Sequence, residues 1–143
     1  ATVVAPDAKG LKVNGSEVAL RLAIGAEMRS YRFDKYFTKQ KEIDKATMTA
    51  LQMVTPEVKG AEKGFAAERA VLDAVQFTRD LISEPANILH PESFAEQCKA
   101  LTKYGLQVEV LGEAQLKKLG AGALLGVGQG SVRESKMVIM RWN

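Results

Sequence analysis

The stretch RDLISEPANILHP, at residues 79–91, divides the sequence into two helical patterns joined by a turn. Pro85 restricts Glu84 to extended geometry and has no backbone N–H, so a helix arriving from the N-terminal side is expected to end at about Ser83 or Glu84. Pro91 suits the first turn of a helix, because its φ is already helical and its missing N–H is not needed there. We call this stretch the joint, and we predict one structural unit on each side of it.

Before the joint, a helical pattern of about 25 residues starts near Lys59, with apolar side chains at helical spacing. Its apolar stripe comprises Phe65, Val71, Leu72, Ala74, Val75, Leu81 and Ile82. Further upstream, an amphipathic helix is predicted after a capping Asn14 or Ser16, and segments 2–5 and 47–55 are strand candidates. The first part of the chain is therefore expected to mix helices and strands.

After the joint, Phe94, Cys98 and Leu101 form the inner face of a second helix, and Gly105 stands where a glycine usually follows a helix end. The remaining pattern predicts a strand at 106–111, a short helix at 113–119, a glycine-rich stretch at 120–131 and a last strand at 136–142. Helix, strand, helix, strand is typical of an α/β unit with a parallel sheet. The predicted fold class is α/β.

The composition is that of a globular protein, with 46% hydrophobic and 26% charged residues in 143. A formal net charge of +3 implies no acidic partner by itself. The sequence has no membrane-span pattern and does not open with a basic leader and an apolar run. The one cysteine, Cys98, excludes an internal disulfide and a multi-cysteine zinc site. A cytoplasmic location is expected.

Both ends of the sequence are strand-like. Residues 1–5, ATVVA, include no initiator Met, and residues 137–142, MVIMRW, are followed by no turn or partner strand. The backbone groups of a strand need a neighbour. We therefore expect the sequence to be an internal piece of a longer protein.

Residues 29–45 form a basic aromatic segment. Its basic residues are Arg29, Arg32, Lys35, Lys39, Lys41 and Lys45, and its aromatic residues are Tyr31, Phe33, Tyr36 and Phe37. Basic side chains beside aromatics can contact phosphates and stack on bases, so a nucleic-acid-binding or scaffold surface is one hypothesis. Aromatics at this spacing more often pack a helix end and loop onto a core, surrounded by long basic side chains, and we favour that interpretation.

The glycine-rich run GVGQGS at residues 126–131 is a candidate phosphate-binding loop, since glycines let backbone N–H groups approach a phosphate at a helix start. Its spacing does not fit. A dinucleotide fingerprint would need its third glycine where Ser131 stands, no strand directly precedes the run, and the Gly-Lys-Ser/Thr of a P-loop is absent. The pattern favours a helix terminus and a loop.

Two further candidates are a metal site at Asp80, Glu84 and His90, and a nucleophile at Cys98. Asp80 and Glu84 would share a helix face only if the helix continued past Ser83, and His90 is predicted as the N-cap of the next helix. Metal sites usually need three or four ligands, and nothing supplies the rest. Cys98 lies on an apolar helix face, the usual place for a buried, inert thiol. We assign no catalytic, cofactor-binding or metal-binding residue from the pattern.

Three stretches nevertheless resemble the leucyl aminopeptidase (cytosol aminopeptidase) family, in family order. RDLISEPANILHPESFA at 79–95 resembles the opening of its catalytic domain, AIGAEMRSYRFDKY at 23–36 the end of its N-terminal domain, and LKKLGAGALLGVGQGS at 116–131 its early catalytic domain. The chain departs from the family at Ala86, where a second proline is common, and at His90, where a capping Thr is common.

The resemblance implies three regions: the C-terminal part of an N-terminal α/β domain at 1–57, a linking helix at 58–84, and the start of a catalytic α/β domain at 85–143. It also implies a homohexameric exopeptidase that removes N-terminal residues from peptides and uses two divalent metals, manganese, zinc or magnesium. The family's metal and catalytic motifs, of the GKG…FD and NTDAEGR kind, do not occur in the 143 residues. The chain by itself is therefore expected to bind no metal and to be inactive.

Overall fold

A computed structural model of the chain describes residues 1–5, 10, 14–45 and 48–142. The chain divides into two compact units, one from Ala1 to Ser83 and the other from Glu84 onward. We call them unit 1 and unit 2. Their boundary lies inside the joint, as its prolines predict.

In its described residues, unit 1 contains two α-helices, a 3-10 helix and a small parallel sheet. In chain order its elements are β1 (Thr2–Val4), α1 (Gly15–Ser30), a 3-10 helix (Glu42–Asp44), β2 (Gln52–Val54) and α2 (Val58–Ser83). Strands β1 and β2 pair in parallel, with Val3 opposite Met53. Both predicted strands are confirmed, although β2 is shorter than the predicted segment 47–55; Thr47 itself lies outside the described residues.

The start of α1 is fixed by a side-chain cap. The Asn14 side-chain oxygen accepts a hydrogen bond from the N–H of Glu17 at 2.9 Å, and the Ser16 hydroxyl donates to the same oxygen at 2.8 Å. Asn14 is therefore the N-cap, because it satisfies a backbone donor that the helix itself leaves unpaired.

Helices α1 and α2 pack against each other and form the body of unit 1. A Cβ atom on Gly64 would lie 2.8 Å from Leu20 Cδ2, so the absence of a side chain at residue 64 allows this close approach. Leu72 is buried in the core of the unit. An ion pair between Arg69 and Glu27, at 2.7 Å, also joins the two helices. Such partly exposed pairs contribute at most about 1 kcal/mol, so apolar packing dominates.

The long helix predicted before the joint is confirmed. Helix α2 has 26 residues and ends at Ser83, two residues before Pro85, where the proline ring excludes further helix.

Unit 2 contains three α-helices and a two-stranded sheet in the described residues. Its elements are α3 (Pro91–Lys99), a 3-10 helix (Ala100–Tyr104), β3 (Gln107–Leu111), α4 (Glu113–Lys118), α5 (Gly122–Gly128) and β4 (Met137–Arg141). Its buried apolar side chains are Ala95, Cys98, Leu111 and Leu116. Gly105, with φ of 92°, ends the 3-10 helix in the left-handed conformation, so the predicted terminal glycine is confirmed.

The predicted parallel sheet in unit 2 is wrong. Strands β3 and β4 pair antiparallel, with Leu111 opposite Met137 and Gln107 opposite Arg141. A parallel return would have to carry the chain back along β3, a distance of about 17 Å. Helices α4 and α5 are only about 9 and 10 Å long, and Gly120, with φ of 72°, turns the chain between them. The segment between β3 and β4 therefore starts and ends at the same end of the sheet, so that β4 runs antiparallel to β3.

Two smaller expectations also change. The glycine-rich stretch 120–131 contains a whole helix, α5, of which only a terminus at 126–131 was predicted. No turn or partner strand follows residues 137–142 in the sequence, and β4 pairs instead with the preceding strand β3.

The close approach of Gly128 to Ser135 gives a stability prediction. A Cβ atom on Gly128 would lie 1.9 Å from Ser135 Oγ, whereas one on Gly126, in the same helix, would meet nothing within 4 Å. We expect Gly128→Ala to destabilise unit 2 by about 1 kcal/mol, because the Ser135 hydroxyl must rotate away and Ser135 Cβ would still lie only 3.3 Å from the new methyl group. We expect the control, Gly126→Ala, to be neutral or stabilising by up to about 1 kcal/mol. Urea unfolding measures both, and equal effects of the two variants would contradict the packing explanation.

Candidate functional site

The N-terminus of α3 is held by a network of short-range hydrogen bonds. The N–H of His90 donates to Ser93 Oγ at 2.9 Å, and the Ser93 hydroxyl donates to the carbonyl of Ile88 at 2.8 Å. His90 has extended backbone geometry and precedes Pro91, the first residue of the helix. The predicted N-cap position of His90 is therefore confirmed. Its ring atom Nδ1 is buried and has no hydrogen-bond partner among the described residues.

The structure does not assemble Asp80, Glu84 and His90 into a metal site. Helix α2 ends before Glu84, so Asp80 and Glu84 do not share a helix face. The Asp80 carboxylate instead accepts a hydrogen bond from the Tyr31 hydroxyl at 2.6 Å. In the part of the chain that the structure describes, no group of three or more His, Cys, Asp or Glu residues could hold a metal ion.

The contacts of Asp80 belong to a polar cluster in unit 1 that sequence analysis missed. The Arg79 guanidinium lies 4.0 Å from the centre of the Tyr31 ring and donates to the carbonyl of Met28 at 2.9 Å. Removal from water, followed by the hydrogen bond to Asp80, raises the pKa of the Tyr31 hydroxyl. We call Tyr31, Arg79, Asp80 and the Met28 carbonyl the Tyr31 clasp.

The rest of the basic aromatic segment makes mostly local contacts. Arg32 donates to the carbonyl of Arg29 at the end of α1, and the Phe33 and Tyr36 rings meet edge to face at 5.9 Å. Lys45 pairs with Glu42. Tyr31 packs on a helix as we favoured, but Phe37 is 65% exposed. These contacts do not favour the nucleic-acid or scaffold hypothesis.

The glycine-rich run 126–131 lies at the C-terminal end of α5, followed by a turn in which the N–H of Ser131 donates to the carbonyl of Gly128. The predicted helix terminus and loop are confirmed. Phosphate sites use the N–H groups at a helix start, whereas a helix end presents carbonyl oxygens that repel anions. The run is therefore unsuited to phosphate.

Cys98 lies in α3 with 5% of its surface exposed, so the predicted buried thiol is confirmed. Burial raises its pKa, because an apolar environment disfavours the thiolate.

A second polar cluster joins α4 to the segment before β4. The N–H of Glu113 donates to the Glu134 carboxylate at 3.3 Å, and the N–H of Ser135 donates to the Glu113 carboxylate at 3.2 Å. Lys136 is hydrogen-bonded to Glu134. The Lys136 hydrogen bond, followed by that from Glu113 N–H, lowers the pKa of Glu134. We call Glu113, Glu134, Ser135 and Lys136 the carboxylate clamp. Its two hydrogen bonds from backbone N–H groups join residues that are 21 and 22 positions apart, so no local sequence pattern indicates the cluster.

Residues 76–143 match the model of the cytosol aminopeptidase family, catalytic domain. This part of the chain belongs to the cytosol aminopeptidase family. It is 51% identical over 127 residues to a probable cytosol aminopeptidase of Caulobacter vibrioides, covering 89% of this chain and 26% of the relative. A probable cytosol aminopeptidase of Chelativorans is 46% identical over 143 residues, covering 99% of this chain and 28% of the relative. The chain thus spans about a quarter of the length of these relatives.

Solved structures agree on the fold. The chain resembles the bottromycin maturation enzyme BotP with a TM-score of 0.77 and 28% identity, over 99% of this chain and 30% of that one. A mutant tomato leucine aminopeptidase gives a TM-score of 0.79 at 22% identity, over 97% and 28% of the two chains, which shows the fold alone. The predicted α/β class and the family resemblance are confirmed. No helix among the described residues is long and apolar enough to cross a membrane.

Burial of Cys98 predicts slow thiol chemistry. In the native chain at neutral pH we expect a thiol reagent such as DTNB to react at least about tenfold more slowly than with free cysteine, because the reactive thiolate is disfavoured and access needs local opening. Urea should restore the full rate. A native rate equal to that of free cysteine would contradict the burial of Cys98.

The carboxylate clamp predicts a pH-dependent contribution to stability. Because the pKa of Glu134 is lowered in the folded state, its contribution is complete above the ordinary value of 4.5 and is lost as the pH falls through the lowered value. Glu134→Gln should therefore destabilise unit 2 at neutral pH, and its difference from wild type should shrink in acid. Denaturant unfolding across pH measures this, with Glu96→Gln, which removes one partner of an exposed pair with Lys99, as control. A difference independent of pH would contradict the assignment.

Proposed function

We propose that the chain forms part of a cytoplasmic aminopeptidase that removes N-terminal residues from peptides. The observation that carries this proposal is the match of residues 76–143 to the catalytic-domain model of the family. Identity of 51% over 89% of the chain extends the likeness to both units. Within such an enzyme, we assign residues 1–57 to the end of the N-terminal domain, 58–84 to a linking helix and 85–143 to the start of the catalytic domain.

We also propose that the enzyme depends on two divalent metal ions, manganese, zinc or magnesium, and assembles as a homohexamer. The metal proposal is supported by a structural neighbour, the bottromycin maturation enzyme in complex with Mn, which is 30% identical with a TM-score of 0.73. The described residues of this chain do not fit a metal centre, since they contain no suitable group of three ligands. We therefore assign them structural roles and place the metal ligands elsewhere in the enzyme.

The structural role of unit 2 is to provide a packed platform. The carboxylate clamp ties the segment before β4 to the start of α4, and Leu111 and Leu116 of the same unit are buried. Both strands of the sheet are thus anchored at the end where Leu111 pairs with Met137. A rigid platform of this kind is what a catalytic site on neighbouring elements requires.

Two assays test the proposed function. The 143-residue chain alone should not hydrolyse leucyl p-nitroanilide with manganese, because its described residues offer no metal centre. A chimera in which this chain replaces the matching segment of the Caulobacter vibrioides relative should hydrolyse the substrate, because 51% identity implies the same local packing. The unmodified relative and the relative lacking the segment are the controls.

Each outcome is decisive for one part of the proposal. Turnover by the chain alone, above background, would show that it carries its own active centre. A chimera that folds, as judged by circular dichroism and size, but has no activity would contradict the assignment of this chain to an aminopeptidase.

A further inference from the structure

The family match and the structural units have different boundaries. The catalytic-domain match begins at residue 76, whereas unit 1 ends at Ser83. Residues 76–83, the last two turns of α2, therefore fall inside the family match but belong to unit 1 by contacts. Something in unit 1 must hold them.

The last turn of α2 gains little stability from its own side chains. Its last turn contains no basic residue to interact with the free carbonyl groups. Ile82 is 80% exposed and contributes little packing. Asp80 places a negative charge near the negative end of the helix dipole, which is unfavourable by itself. Without outside contacts, this turn would be expected to fray.

The Tyr31 clasp supplies those contacts. The Tyr31 hydroxyl donates to the Asp80 carboxylate at 2.6 Å, a charge-assisted bond that also disperses the unfavourable charge. Arg79 stacks on the Tyr31 ring at 4.0 Å, and it also donates to the carbonyl of Met28, which is left unpaired near the end of α1.

The clasp also joins two of the stretches that carry the family resemblance. Tyr31 and Met28 lie in the stretch 23–36, and Arg79 and Asp80 open the stretch 79–95. The residues in contact are 49 and 51 positions apart in the sequence. The resemblance therefore has a physical counterpart, which is a contact between those stretches.

We propose that Tyr31 is a positioning residue that locks the last turn of α2 onto the end of α1 and thereby fixes the point from which the joint begins. Its meaning for an enzyme rests on the proposed function, because Tyr31 then fixes the end of the linking helix that precedes the catalytic domain. The lock itself does not depend on activity and is tested without it.

The test is amide hydrogen exchange on the full 143-residue chain. Tyr31→Phe removes only the hydroxyl, and we expect exchange at residues 79–83 to become about fivefold faster, the effect of losing one net hydrogen bond. Exchange in the α2 segment 62–72 should not change. The control is Tyr104→Phe, which removes a hydroxyl from an exposed tyrosine of unit 2 and should leave both segments as in wild type.

A second variant separates the lock from general loosening of the fold. Asp80→Asn keeps an oxygen that can accept from Tyr31 but removes the charge, so exchange at 79–83 should increase less than in Tyr31→Phe. Asp80→Asn should also lower the pKa of Tyr31 towards its ordinary value. This pKa is obtained by titrating the tyrosine absorbance of each chain and subtracting the titration of the same chain carrying Tyr31→Phe.

The proposal is overturned if exchange at residues 79–83 is the same in Tyr31→Phe and wild type, or if the whole of α2 speeds up equally. If Tyr31→Phe does not fold, Asp80→Asn decides alone: faster exchange confined to 79–83 supports the lock, and an unchanged pattern overturns it. Loss of activity in the chimera would bear on the proposed function and not on this exchange pattern.

Discussion

The pyrrolidine ring of Pro85 is the constraint on which the architecture depends. It removes a backbone donor and excludes helical geometry at Glu84, so α2 ends at Ser83 after 26 residues. Six residues later, Pro91 starts α3 at its first helical position. Because the helical hydrogen bonds are interrupted here, each side must build its own core. Unit 1 builds it between α1 and α2, and unit 2 builds it around Cys98, Leu111 and Leu116.

Each unit secures its weakest point with polar side chains. In unit 1 the Tyr31 clasp holds the end of α2, and in unit 2 the carboxylate clamp holds the approach to β4. Both clusters satisfy backbone groups that helix ends or loops leave unpaired, and both use ionised side chains, whose hydrogen bonds are stronger than neutral ones. Polar side-chain contacts therefore determine where these two segments lie.

Local signals in the sequence were sufficient for most of the elements. The cap at Asn14, the prolines of the joint and Gly105 each act over one or two turns, and each was predictable. The helical pattern of α2 was also predictable, but its predicted apolar stripe was only partly right, because Val71, Ala74 and Ile82 are exposed. The pairing direction of β3 and β4 was not, because it depends on how two short helices and Gly120 return the chain. Only the end of helix α5 was predicted, because the glycines of residues 122–128 are typical of loops. The clasp and the clamp were missed because their partners are more than 20 positions apart.

The continuity of α2 across residue 76 also bears on how such proteins exchange parts during evolution. A crossover at the edge of the family match would split one helix into pieces of 18 and eight residues and would separate Asp80 from Tyr31. A crossover within residues 84–90 would break no helical hydrogen bond and would keep the clasp within one parent. In recombinant proteins, the chain up to Ser83 should therefore come from a single parent. The breakpoints should lie mainly in the turn at residues 84–90.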